Sequence, residues 1–145
     1  MIRRILLLII LSLMILGCKN KDQNPVPKVG VNIWLTDINQ DPEYSKLLAP
    51  YNAIICNGGY LQNGIIVYRV KIEEAVDDFV AYDRTCTNEA NSCVMIWTQK
   101  DNYYCTCKCC NSKFNLTGGY LEKGPAKFPL RKYSCEYIDG TIHIY

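Results

Sequence analysis

Cysteine carries most of the chemistry open to this chain. Nine cysteines occur in 145 residues, and two stretches hold six of them. One reads Tyr82-Asp83-Arg84-Thr85-Cys86-Thr87-Asn88, with Cys93 beyond it. The other reads Cys105-Thr106-Cys107-Lys108-Cys109-Cys110-Asn111-Ser112-Lys113-Phe114-Asn115. As thiolates such residues hold soft metals; as paired thiols they cross-link or exchange. The adjacent Cys109 and Cys110 leave a thiol-redox role open. His143 is the single histidine, which leaves little for a nucleophilic triad, so neither hydrolysis nor group transfer is supported.

The N-terminus has a different character. Arg3-Arg4 precedes an almost purely apolar run from Ile5 to Leu16. That run is too short for a mature membrane span but right for the hydrophobic region of a signal peptide. It ends in Ile15-Leu16-Gly17-Cys18, which resembles a bacterial lipobox. The division expected is therefore a lipoprotein signal peptide over 1–17, a lipidated Cys18 opening a flexible polar tether over 18–28, and one domain over 29–145. Such a protein belongs to a bacterial cell envelope, in the periplasm or on the cell surface. It meets the membrane through acyl chains, of which more than one gives stable anchoring. Loss of residues 1–17 removes Arg3 and Arg4 and leaves 14 basic against 14 acidic residues. With no basic stripe, nucleic acid is not expected as a partner. An envelope or redox protein is the partner class left open. Export also implies an oxidising compartment, where the eight cysteines after Cys18 form disulfides readily.

The elements that must position the cysteines read as short strands. Val31–Leu35, Tyr51–Cys56, Gly64–Val70, Phe79–Asp83, Val94–Trp97 and Tyr103–Cys107 are β-branched or aromatic and end at turn residues. Arg131–Tyr137 and Thr141–Tyr145 flank Asp139-Gly140, a strong hairpin signal. No long helical pattern interrupts them. The fold class expected is all-β, a small antiparallel sandwich or barrel.

The order of these pieces resembles the Rieske domain. A strand ending in Tyr82 leads through Asp83 and Arg84 into Cys86-Thr87. The second loop, Cys107-x-Cys109-Cys110-Asn111-Ser112-Lys113-Phe114-Asn115, stands where that family typically reads C-P-C-H-G-S-R-F-D. Thr117-Gly118-Gly119, Gly124-Pro125-Ala126 and Pro129-Leu130-Arg131-Lys132-Tyr133 follow in the family's order. The likeness runs from about Val29 to Tyr145 and sharpens after Phe79. It implies a [2Fe-2S] cluster with two cysteine and two histidine ligands. Mapped onto this chain, the cysteine ligands are Cys86 and Cys107, and the histidine positions hold Asn88 and Cys110. The resemblance also implies a disulfide between the loops, at Cys93 and Cys109.

Those two replacements set the functional expectation. Asparagine is a poor neutral ligand for iron. A Cys110 thiolate adds negative charge and lowers the potential relative to imidazole. Cys105, on the same strand face as Cys107, offers a possible fourth thiolate. Alternatively the thiols cross-link, Cys86 with Cys107 or Cys110. The favoured reading is a membrane-anchored, disulfide-stapled structural or binding module without a cofactor. The alternative is an electron-transfer protein holding a [2Fe-2S] cluster through cysteine-rich ligation. Among other residues, His143 is expected to face solvent, and the eleven tyrosines to serve as half-buried sheet residues. The acidic Glu73-Glu74 and Asp77-Asp78 are expected in a solvated loop.

Overall fold

The computed structural model describes residues 22–73 and 75–145. The expected signal segment and Cys18 lie outside the described residues. Eleven strands are found among those described: β1 (Ile33–Leu35), β2 (Ala53–Cys56), β3 (Ile65–Arg69), β4 (Phe79–Asp83), β5 (Met95–Trp97), β6 (Tyr104–Cys107), β7 (Lys113–Asn115), β8 (Leu121–Lys123), β9 (Lys132–Tyr133), β10 (Cys135–Ile138) and β11 (Thr141–Ile144). Among the described residues, helical structure is confined to short 3-10 segments such as Tyr44–Leu48. Among the described residues no helix is long and apolar enough to cross a membrane.

The strands form three antiparallel sheets, ordered β1-β11-β10, β2-β3-β4-β9 and β5-β6-β7-β8. The second sheet is the middle layer, as the alternation along β3 and β4 shows. Ile66, Tyr68, Val80 and Tyr82 pack into one core with Met95, Cys105, Cys107 and Phe114 of the β5–β8 sheet. Their neighbours Ile65, Val67, Phe79 and Ala81 pack into a second core with Leu35, Ile142 and Ile144 of the terminal sheet. A strand buried on both faces has no reason to alternate apolar with polar residues. Hence β3 reads as the unbroken apolar run Ile65-Ile66-Val67-Tyr68. The closing hairpin turns at Asp139 and Gly140, both with positive φ (48° and 79°). That is the backbone a tight two-residue hairpin needs, and it is why Asp-Gly stands there.

Two expectations are corrected, and one strand is added. The described part of the 18–28 tether is docked on the domain: Val26 is fully buried, Arg131 donates Nε–H to the Val26 carbonyl at 2.7 Å, and Arg131 pairs with Asp22 at 2.8 Å. An apolar valine beside a fixed guanidinium has more to gain from packing than from solvent. Asp78 is also not solvated. It is fully buried and pairs with Arg69, itself almost covered, at 3.4 Å, while Asp77 stays exposed beside Lys71. Finally β8, pairing with β7 through a register shift at Lys113/Phe114, was not expected. Its Leu121-Glu122-Lys123 is half-exposed or exposed and too short to show a period.

Candidate functional site

Two hairpin-like loops meet at one end of the β4 and β5–β8 strands. The first follows β4. Asp83, fully buried, closes its base by accepting hydrogen bonds from the Thr85 N–H at 2.8 Å, the Tyr60 N–H at 2.6 Å and the Tyr133 hydroxyl at 2.8 Å. Arg84 spans the loop by donating Nε–H to the Met95 carbonyl at 3.0 Å. Thr85 bridges Val94, and the Cys86 N–H donates to the Cys93 carbonyl at 3.0 Å. Cys86 thus stands at a braced position with its thiol fully buried.

The second loop joins β6 to β7. The Asn111 N–H donates to the Cys107 carbonyl, and the Cys107 N–H to the Ser112 carbonyl, at 3.0 and 2.8 Å. The reversal requires φ of 58° at Asn111, a conformation asparagine tolerates better than most residues. The segment after β8 seals the tip. A side chain on Gly124 would run into Ser112, whose Cα lies 2.5 Å from the position a Cβ would take. The Ala126 N–H donates to Ser112 Oγ at 3.1 Å, and Thr87 donates its hydroxyl to the Phe128 carbonyl at 2.8 Å. The roles of Ser112 and Gly124 were not legible in advance; only the Gly124-Pro125-Ala126 sequence marked that segment.

Cys93 and Cys109 form a disulfide that ties the loops together, with a Cα–Cα distance of 6.2 Å. Cys86, Cys107 and Cys110 are free thiols, and their sulfurs lie within 4.8 Å of one another. Cys86 and Cys110 lie 3.6 Å apart between sulfurs. Cross-links from Cys86 to Cys107 or Cys110 are therefore not formed here. Cys107 also lies within 4.8 Å of both disulfide sulfurs. Cys105 shares the buried face of β6 with Cys107 but belongs to neither sulfur cluster. Its side chain is committed to the hydrophobic core, where burial pushes the thiol up.

The electrostatics divide the three thiols. Burial pushes Cys86 up to about 12, against the backbone N–H groups of Asn88 and Glu89 that point at its sulfur. Cys110 is only half-buried, so the upward push of burial is outweighed by hydrogen bonds from Ser112 and from the neighbouring thiols, and it sits below the ordinary thiol value. Ser112 Oγ lies 3.1 Å from Cys110 Sγ. In this contact the Cys110 thiol donates to Ser112 Oγ, which also accepts the Ala126 N–H.

Asn88 does not face this cluster. It is exposed, and its amide donates to Glu89 Oε1 at 3.1 Å. His143 lies on the terminal sheet, stacked on Trp34 with ring centroids 3.7 Å apart. It is only half-exposed, and Asn32 holds its Nε2 at 2.9 Å. No histidine elsewhere in the chain can approach the tip, since there is no other.

No family model matches the chain, and no curated protein matches it. Among solved structures it is similar to the cyanobacterial plasma membrane Rieske protein PetC3 from Synechocystis PCC 6803, with a TM-score of 0.51 and 25% identity over 64% of this chain and 85% of that one. The three-sheet domain with its two cysteine loops is thus Rieske-like. The residues at the tip depart from the two-cysteine, two-histidine ligand set of a Rieske cluster. Cys86 and Cys107 could serve one iron. For the second iron there is no imidazole, Asn88 faces solvent, and Cys110 lies against Cys86 instead of across a cluster from it.

Proposed function

We propose that this chain is a lipid-anchored structural or binding module of a bacterial cell envelope, one that keeps the Rieske fold and has given up the Rieske electron-transfer centre. The observation carrying the second half is the position of Asn88. The residue at a histidine-ligand position is turned to solvent and bonded to Glu89, and the one imidazole of the chain is stacked in another sheet. Without an exposed imidazole on iron, the coupled uptake of an electron and a proton has no carrier. The Cys93–Cys109 disulfide supports an oxidising location, where such bonds persist. The Gly17-Cys18 junction after an apolar run supports the anchor, as does the plasma-membrane placement of the similar Rieske protein. The role that remains is binding, with an envelope protein as the partner class.

The test is iron and acid-labile sulfide analysis, with a visible spectrum, on anaerobically purified protein. A colourless protein lacking sulfide is expected. About two irons with sulfide per chain would make this an electron carrier with cysteine-rich [2Fe-2S] ligation and would overturn the reading.

A further inference from the structure

The missing iron ligands leave three sulfurs converging on one point, and that arrangement has its own chemistry. Two ligands of a single zinc ion, with metal–sulfur bonds of about 2.3 Å, stand roughly 3.8 Å apart at the tetrahedral angle. Cys86 and Cys110 are 3.6 Å apart, and Cys107 lies within 4.8 Å of both. In a two-iron cluster mapped on these loops, Cys86 and position 110 would serve different irons, with bridging sulfides between them. The observed separation, a thiol–thiol contact without metal, is also the spacing of two ligands on one metal.

We infer that Cys86, Cys107 and Cys110 form a mononuclear site for one thiophilic d10 cation, Cu(I) or Zn(II). This rests on the reading that the two-iron cluster has been given up. The donor set is all sulfur, which selects soft ions over those preferring oxygen or imidazole. Three thiolates complete a trigonal Cu(I) site; around Zn(II) they leave a fourth position for water or an outside ligand. The site is braced for the charge it would carry. Backbone N–H groups of Asn88 and Glu89 point at the Cys86 sulfur. Ser112, held by Ala126 and abutted by Gly124, accepts from the Cys110 thiol at 3.1 Å, and its own hydroxyl proton would turn to the sulfur once Cys110 is a thiolate. Such outer hydrogen bonds orient ligands and tune affinity. The neighbouring disulfide fixes one loop against the other, so the triangle does not depend on the metal to assemble. Binding replaces the three thiol protons, which leave to solvent, and involves no electron transfer.

The experiment uses the full chain in detergent, reduced only enough to keep free thiols free, and presents Cu(I) and Zn(II) separately. Bound metal, iron, sulfide and free thiols are counted. One Cu(I) or one Zn(II) per chain, without sulfide, is expected. Binding should be lost in Cys86→Ser and Cys110→Ser and kept in Cys135→Ser, whose thiol lies outside the tip. Ser112→Ala should weaken it by about 10–100-fold. Protection of Cys110 from alkylation by the added metal, mapped by mass spectrometry on the unaltered protein, reports the same site without requiring any variant to fold. Metal retained by both cysteine variants, no metal on a protein with its thiols free, or a Cys86–Cys110 cross-link would each overturn the inference and leave the preceding reading standing. Two irons with sulfide would overturn both.

Discussion

Tyr133 on β9 hands its hydroxyl to the buried carboxylate of Asp83 on β4, 2.8 Å away. The same carboxylate accepts the Thr85 N–H one residue before Cys86. The closing part of the chain thus braces the first cysteine loop. Removing the hydroxyl in Tyr133→Phe leaves a buried carboxylate short of a donor, at a cost of about 1–3 kcal/mol. A drop in the urea midpoint with faster hydrogen exchange at Thr85 is expected. An unchanged midpoint would mean that Asp83 is adequately held by its two backbone donors.

The disulfide has a similar role from the other side of the tip. Cys93 and Cys109 close a loop with a sequence separation of 16, for which cross-linking contributes about 2–4 kcal/mol. Cys93→Ser should lose that stability and also expose Cys109 to alkylation. Equal stability of the variant and the unaltered protein would show that the loops are held by Asp83, Arg84 and Ser112 without it.

Stability should fall on the alkaline side. Burial pushes the Cys56 thiol up to about 11 and the Cys135 thiol up to about 12. In the unfolded chain both ionise near about 8.5. Above that value the unfolded state holds fewer protons than the folded one, so folding stability declines as pH rises and is fully present below it. A loss of about 1–3 kcal/mol between roughly pH 8.5 and pH 10 is expected, and Cys135→Ser should reduce the slope. Stability that stays flat to the upper limit would sink the assignment of these thiols as buried and neutral.

Cys18→Ala should move the protein from the membrane fraction to the soluble fraction. Continued tight membrane association of that variant would argue against lipidation.

The strands were readable because β-branched runs and turn residues are local signals. The run Gly64–Val70 reads as a strand from its own β-branched, apolar residues, and the closing turn from Asp139-Gly140. What failed were features set by partners distant in sequence. Asp78 lies in an acidic stretch that looks solvated, and only the arrival of Arg69 from β3 explains its burial. Val26 looks like part of a polar linker until Arg131 fixes the backbone around it. At the tip, the spacing named Cys86, Asn88, Cys107 and Cys110 as a set. It could not show that Asn88 turns outward while Cys110 closes on Cys86, because that depends on how two loops and the 124–128 segment pack.

The docking of Asp22 on Arg131 also sets a distance. Only four residue steps separate Asp22 from Cys18, and fully stretched they reach about 14 Å. If Cys18 carries the lipid, the leash is slack over little more than that length. Arg131 stands just beyond Phe128, whose carbonyl is tied to Thr87 beside Cys86. The cysteine tip would then ride close over the bilayer, so that whatever it meets must itself come to the membrane surface.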